Sequence, residues 1–402
     1  AAVRAILADV EARGDEALRD LTARFDGVEL DDLRVPPPAI AAALEAVEPA
    51  LRAALEEAAA NIGAFHQGQL HAPHVHERNG VRVLSYRVPV DRAGLYVPGG
   101  RAVYPSTVLM TAVPARVAGV GEVALCVPPD KSTGGVPLAT LAAAAVAGVD
   151  EVYAVGGAQA IAALAFGTES IGAVDVIVGP GNAYVAVAKR EVAGRGRVAI
   201  PSAFAGPSEV VVVADASVPA DFAAIDLVVQ AEHGPGGLAW LLCWSEDVLE
   251  AVDRAVERLV AEAPRREDIL ATLGGNGYAV LCDTPAQAMA VANLIAPEHL
   301  ELLCAAADEL VPLVRHAGAV FCGPLAPASI GDYLAGPSHV LPTFGSARFG
   351  SALTVDDFLK HLHVVTVGPQ GFERAAPHVV ALARAEGLEA HAQSILLRQA
   401  AR

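Results

Sequence analysis

Gln230 and His233 lie three residues apart in QAEHGP, at the end of the apolar run DFAAIDLVV and beside a helix-stopping Gly-Pro. Residues three apart share one face of a helix, so an amide oxygen and an imidazole there can hold a metal ion, while Glu232 points elsewhere. They can equally be surface polar residues. Other polar segments also interrupt apolar surroundings. FAGPSEV sets Ser208 at the mouth of a strand, and APEHLELL sets Glu298 and His299 together at the start of another. GDYLAGPSHVLPT carries Asp332 and His339 on either side of a Gly-Pro turn, and AEGLEAHAQS carries Glu386 and His391 near the C-terminus. Singly, each has a mild explanation: Glu298 as a helix cap, His299 as a satisfied core histidine, Asp332 as a turn residue. Together they supply neutral nitrogen ligands, hard oxygen ligands and a separate acid/base pair, the parts of a catalytic metal site. Glu298 and His299 are neighbours and would diverge on an extended backbone. A shared substrate therefore requires an irregular turn, which Pro297 favours.

The elements that position these residues follow a βαβ rhythm. GVGEVALCVPP, GVDEVYAVGG and AVDVIVGPG read as strands spaced by helix-length segments such as LATLAAAAVA, the pattern of a parallel sheet. Ligands in such sheets bind at the carboxyl ends of the strands, which here carry VGGAQA and VGPGNAY. A second series, SEVVVVAD, LAWLLCWS, GYAVLCDT, HLELLC and GAVFCG, predicts a second α/β domain. The tail from about residue 355 holds one strand, HLHVVTVG, and a last helix. The expected fold is α/β, with two Rossmann-like, incomplete doubly wound domains and a small C-terminal tail domain. Its expected boundaries are 1–95 with 208–353, then 96–207, then 354–402. HAPHVHERNG, with His71, His74 and His76, reads as a solvated loop, since no carboxylate or cysteine frames the histidines. No GxGxxG fingerprint occurs, so a dinucleotide would not be held by the ordinary Rossmann phosphate loop.

Composition narrows the function classes. The chain has 402 residues, 53% hydrophobic and 18% charged, with a formal net charge of -18. Nonspecific binding to nucleic acid or to an anionic membrane needs clustered Lys and Arg, so neither is expected. No apolar stretch reaches the length of a membrane span. Five cysteines, none in a CxxC, sit in or beside apolar strand-like runs and read as buried free thiols of a cytoplasmic protein.

The strings LYVPGG, VGGAQAIAALAFGTES, VGPGNAYV, AGPSEV, QAEHGP, APEHLEL, GDYLAGPSHVLPT and EGLEAH, in this order, resemble histidinol dehydrogenase. The likeness runs from near the first residue to the C-terminal helix. It implies a zinc-dependent oxidation of L-histidinol to L-histidine by way of L-histidinal, with two NAD and one zinc ion per subunit. Gln230, His233, Asp332 and His391 match the zinc ligands, and Glu298 and His299 match the acid/base pair. Ser208, His339 and Glu386 match substrate contacts, alongside Gln230, His233, His299, Asp332 and His391. Tyr96, Gln159 and Asn182 match the positions that contact NAD. The resemblance also implies a homodimer in which the tail, with Glu386 and His391, serves the neighbouring subunit. Ser338 stands where the family commonly has Asn, and PPDKSTGGVP is longer than in many relatives. A zinc hydrolase with Glu298 activating metal-bound water is the competing enzyme class. A non-catalytic metal-binding or scaffold protein is a third reading, and no loss among the matched residues supports it.

Overall fold

The computed structural model describes residues 1–100, 102–201, 206, 208–232, 234 and 236–401. The chain divides into two compact units, residues 1–69 with 90–358 and residues 70–89 with 359–402. In the smaller unit, β1 (His74–Arg78) pairs antiparallel with β2 (Val81–Pro89). Half of the expected histidine-rich loop is therefore strand, with His74 and His76 in β1. Asn79 and Gly80 form its two-residue turn with φ of 54° and 79°. Asn-Gly accepts this left-handed backbone readily and matches the twist of the flanking strands.

The larger unit holds two parallel sheets. β3 (Arg92–Tyr96), β4 (Glu122–Val127), β5 (Glu151–Ala154) and β6 (Val176–Val178) form one, in the order β5-β4-β3-β6. Here the chain steps outward from β3 to β5 and then returns to the far side of β3. That reversal opens a crevice at the carboxyl ends of β3 and β6. β7 (Glu209–Ala214), β8 (Leu238–Cys243), β9 (Gly277–Leu281), β10 (His299–Leu303) and β11 (Ala319–Cys322) form the other, in the order β11-β10-β7-β8-β9. Its central strand β7 is a valine run buried on both faces. Val210 and Val212 enter one core and Val211 and Val213 the other, as a two-residue period dictates. β12 (Leu359–Val367) returns to the smaller unit and pairs antiparallel with β2, followed by helices Pro369–Ala385 and Glu389–Ala400.

The parallel α/β architecture is the expected one, but the grouping of segments differs. Residues 92–95, expected with the second sheet, join Tyr96 in β3 of the first. Val3, Leu7, Val10, Leu18 and Leu21 of the two N-terminal helices are buried against that same sheet's helices rather than the second sheet. Residues 74–89 join the tail, because β2 supplies the edge on which β12 pairs. Among the described residues no helix is long and apolar enough to cross a membrane.

Candidate active site

Glu298 and His299 sit where the backbone turns from the helix Pro285–Ile295 into β10. Ala296 adopts a left-handed φ of 55°, Glu298 lies in a bend, and His299 is the first residue of the strand. The expected irregular turn is present. It lets neighbouring side chains converge, with His299 Nδ1 3.5 Å from Glu298 Oε2. The backbone of Glu209, at the start of β7, holds both groups. Its N–H donates to Glu298 Oε2 at 2.9 Å, and its carbonyl lies 3.0 Å from His299 Nδ1. A ring N–H at Nδ1 donating to that carbonyl leaves Nε2 as the outward-facing nitrogen. Nε2 is buried, has no hydrogen-bond partner among the described residues and lies 3.6 Å from Asp332 Oδ1, just beyond hydrogen-bond length.

Burial dominates the electrostatics. It pushes the Glu298 carboxyl up to about 7, although His299 and the Glu209 N–H both favour the ionised form. For His299, burial alone would favour the neutral ring, but the Glu298 and Asp332 carboxylates outweigh it and raise the imidazole to about 9. The pair is therefore set to hold a proton between its members near neutral pH.

Asp332 ends a short helix, Ala328–Tyr333, and its carbonyl lies 2.9 Å from His339 Nδ1. Thr107 Oγ1 lies 3.0 Å from the other ring nitrogen, Nε2, so His339 is oriented at both ends. Ser338 is buried, donates to the Met110 carbonyl at 3.0 Å and accepts from the Val340 N–H, a packing role that keeps the segment before His339 in place. Ser208 precedes β7 and its carbonyl accepts from Leu238 N–H at the start of β8.

Gln230 is buried in the last turn of the helix Ala220–Ala231. That helix follows β7 and runs back along the sheet, so its C-terminal end returns to the amino ends of the strands. Its Asp226 carboxyl contacts Glu301 on β10. Four residues further along a helix is about 6 Å, and two residues back along a strand is about 7 Å. Gln230 therefore lies one turn beyond the Asp226–Glu301 contact, toward the amino end of β10. Glu298, His299 and Asp332 thus come together at the amino end of β10, and Ser208 precedes the neighbouring strand β7. His233 lies outside the described residues. Glu386 and His391 are exposed in the smaller unit, at the C-terminal end of its first helix and in the first turn of its second.

Asp332 offers a carboxylate oxygen 3.6 Å from the buried His299 Nε2, and Gln230 offers a side-chain amide. Among the described residues no three His, Cys, Asp or Glu side chains converge as a ready metal cluster. Amide and carboxylate oxygens with imidazole nitrogens are donor types that zinc accepts.

A cavity of about 880 Å³ opens at the carboxyl ends of the four-stranded sheet, and Tyr96, Gln159 and Asn182 all line it. Tyr96 ends β3, and its hydroxyl accepts from the Gly157 N–H at 3.1 Å. Asn182 caps the helix Ala183–Ala193, its side-chain oxygen accepting from the Tyr184 and Val185 N–H groups at 3.0 and 3.1 Å. Gly179, with φ of 111°, passes so close to Tyr96 that a Cβ would overlap the Tyr96 carbonyl. Lys189, fully enclosed on the same helix, donates its ammonium to the Gly179 carbonyl, and burial lowers it to about 7. Pro129, Asp130, Lys131 and Ser132 from the long loop form part of the wall. Asp130 fixes that loop by accepting from the Ser132 and Thr133 N–H groups.

A family model described as histidinol dehydrogenase matches residues 1–399. The chain belongs to the histidinol dehydrogenase family. The histidinol dehydrogenase of Chlorobium chlorochromatii is 47% identical over 398 residues, 99% of this chain and 92% of that protein. That of Rhizobium meliloti is 48% identical over 401 residues, 99% of this chain and 91% of its own length. The crystal structure of histidinol dehydrogenase from Elizabethkingia anophelis superposes with a TM-score of 0.94 at 37% identity, covering 99% of this chain and 92% of that one.

Within this family fold, the residues that sequence reasoning missed are the supporting ones. Glu209 cradles the acid/base pair through its backbone, and its buried carboxyl accepts from Phe344 N–H at 2.8 Å. Thr107, Lys189 and the Asp226–Glu301 pair are equally unannounced. For three of them a signal existed: Glu209, Asp226 and Glu301 are charged residues inside otherwise apolar strands or helices.

Proposed function

We propose that this chain oxidises L-histidinol through L-histidinal to L-histidine in two successive two-electron steps at one site, as the family's name and the convergence of Glu298, His299 and Asp332 together support. Gln230, His233, Asp332 and His391 hold one zinc ion per site, and Tyr96, Gln159 and Asn182 contact NAD. Bound zinc supplies open positions that orient the substrate's imidazole and amine, and bound NAD supplies the hydride acceptor in each step. The chain's own residues move the protons. His299 takes the alcohol proton through Nε2 as hydride leaves the carbinol carbon, while the Glu209 carbonyl keeps the ring aligned at Nδ1. A cation held by Asp332 would offset one of the carboxylates that raise the His299 imidazole. Glu298, ionised, takes a proton from water as the oxygen adds to the aldehyde carbon. The hydrate then loses a second hydride and a proton to give the carboxylate. Ser208 and His339 line the substrate's approach.

Glu386 and His391 belong to a unit whose buried side chains are few, while Val365, Leu382 and Leu397 on it are exposed in the single chain. A unit of this size that leaves so much apolar surface uncovered needs a partner. We place it on a second copy in a homodimer, so that each site takes Gln230, His233 and Asp332 from one chain and Glu386 and His391 from the other. The five free cysteines, four of them buried, accord with a reducing cytoplasm. The test is to add histidinol and NAD to zinc-loaded protein and count NADH. Two NADH per histidinol, abolished by a chelator and restored by zinc, is the expected result. Consumption of histidinol without NADH would exclude the oxidation and leave the zinc hydrolase.

A further inference from the structure

Glu301 lies two residues after His299 on β10 and is completely buried. Its Oε1 accepts the Ala328 N–H at 2.9 Å, the first turn of the helix that carries Asp332. An N–H in a helix's first turn has no partner within the helix, so this bond ties that helix to the strand. Glu301 also contacts Asp226, itself buried, on the helix that carries Gln230. Among the described residues Glu301 Oε2 has no hydrogen-bond donor. Two carboxyl groups in contact inside a core, with no cation between them, need a proton as the donor. Burial pushes Glu301 up to about 9 and raises Asp226 as well, and the Ala328 bond leaves Oε2 as the oxygen that carries the proton.

We propose that Glu301 is a positioning residue which, in its neutral form, brackets the two helices bearing Gln230 and Asp332 and so sets the spacing of these two ligands before metal arrives. The proposal rests on the ligand reading above. Neither Glu301 nor Asp226 faces the substrate. Their effect passes through two backbone-anchored helices, one gripped at its first turn and the other one turn before Gln230.

The geometry makes the requirement specific. The side chain must be long enough to reach both helices, and it must present one acceptor and one donor. Glutamine satisfies both conditions, with its oxygen toward Ala328 N–H and its amide N–H toward Asp226. Aspartate keeps the acid but is one methylene too short. Leucine keeps the volume and has neither function.

The test is zinc affinity by competition with a chromophoric chelator, alongside NAD affinity and thermal melting of the metal-free protein. Glu301→Gln should bind zinc within about threefold of the unchanged protein, whereas Glu301→Asp and Glu301→Leu should bind it about 10- to 100-fold more weakly, the usual range for residues that orient ligands. NAD affinity should not move, because that cavity lies on the other sheet. If Glu301→Leu does not fold, the Gln and Asp variants decide. Zinc affinity retained in Glu301→Asp and lost in Glu301→Gln would overturn the proposal, as would equal affinity in all variants. Asp332→Ala separates the two levels of the argument. If it binds zinc normally, the ligand reading fails, whereas loss of zinc there with no change in Glu301→Asp refutes the bracket alone.

Discussion

Replacing Lys189 with methionine should reverse the sign of a stability difference as pH rises. The Lys189 ammonium is enclosed on the helix Ala183–Ala193 with the Gly179 carbonyl as its partner, and burial lowers it from 10.5 to about 7. Between those two values the unfolded chain binds a proton that the folded chain does not, so folding stability rises with pH across that window. The penalty for enclosing the ammonium is fully present below about 7 and has vanished above 10.5. At about 1.4 kcal/mol per tenfold change in proton affinity, the ceiling is about 5 kcal/mol. Methionine has similar length and no charge, so Lys189→Met escapes this penalty but leaves the Gly179 carbonyl without its donor, a loss of about 1–2 kcal/mol. The variant should therefore be the more stable protein at pH 6 and the less stable one at pH 10. The assay is urea unfolding of both proteins at unit pH intervals, comparing only their difference, so that other titrating groups cancel. A swing of about 3–5 kcal/mol is expected. A difference that stays flat within about 1 kcal/mol would refute the assignment of Lys189 as a neutralised, buried amine.

Glu298→Gln should retain zinc and the first oxidation but slow the second by about 10²- to 10⁴-fold, the usual worth of a general base, so that one NADH forms per trapped aldehyde. Two NADH per histidinol at the normal rate would remove Glu298 from the hydration step. His233→Ala and His391→Ala homodimers should each be inactive, and mixing them with reassortment should restore about a quarter of normal activity, because half the dimers then hold one intact site. No recovery on mixing would show that the tail serves its own chain. Gly179→Ala should weaken NAD affinity and lower the melting temperature together, because the new Cβ meets the Tyr96 carbonyl and the backbone there is left-handed. Unchanged NAD affinity would place the cofactor elsewhere.

The parallel sheets were legible because valine-rich strands alternate with helix-length segments, and the pairing of Glu298 with His299 was legible because Pro297 signals a break. The location of the acid/base candidates was not. The general rule for open α/β sheets points to carboxyl ends, and the cavity lined by Tyr96, Gln159 and Asn182 obeys it, but Ser208 and His299 lie at the amino ends of their strands. Their placement depends on β7 and β10 being neighbours, with His299 opposite Val210, and a pairing between residues so far apart leaves no local pattern. The same holds for Thr107 against His339, separated by 232 positions. The Asn79-Gly80 turn was a missed local signal. The polar, histidine-rich run reads as a solvated loop, while the turn chemistry between two strand-forming runs is the stronger fact.

The discontinuity of the smaller unit also bears on how the chain comes into being. β2 emerges from the ribosome with only β1 beside it, and its other edge waits for β12, which begins about 270 residues later. At about 5–20 residues per second, that edge stays unpaired for roughly 14–54 seconds of synthesis. Over that interval VRVLSYRVP, a nine-residue strand with alternating apolar side chains, offers free backbone groups to any passing strand. Arg82 and Arg87 lie within it, and such charges oppose the edge-to-edge association that an uninterrupted apolar strand would invite. Synthesis rate, rather than final stability, is then the quantity that decides the yield of soluble chain. Neutral replacements of these two arginines should lower that yield most when translation is slow.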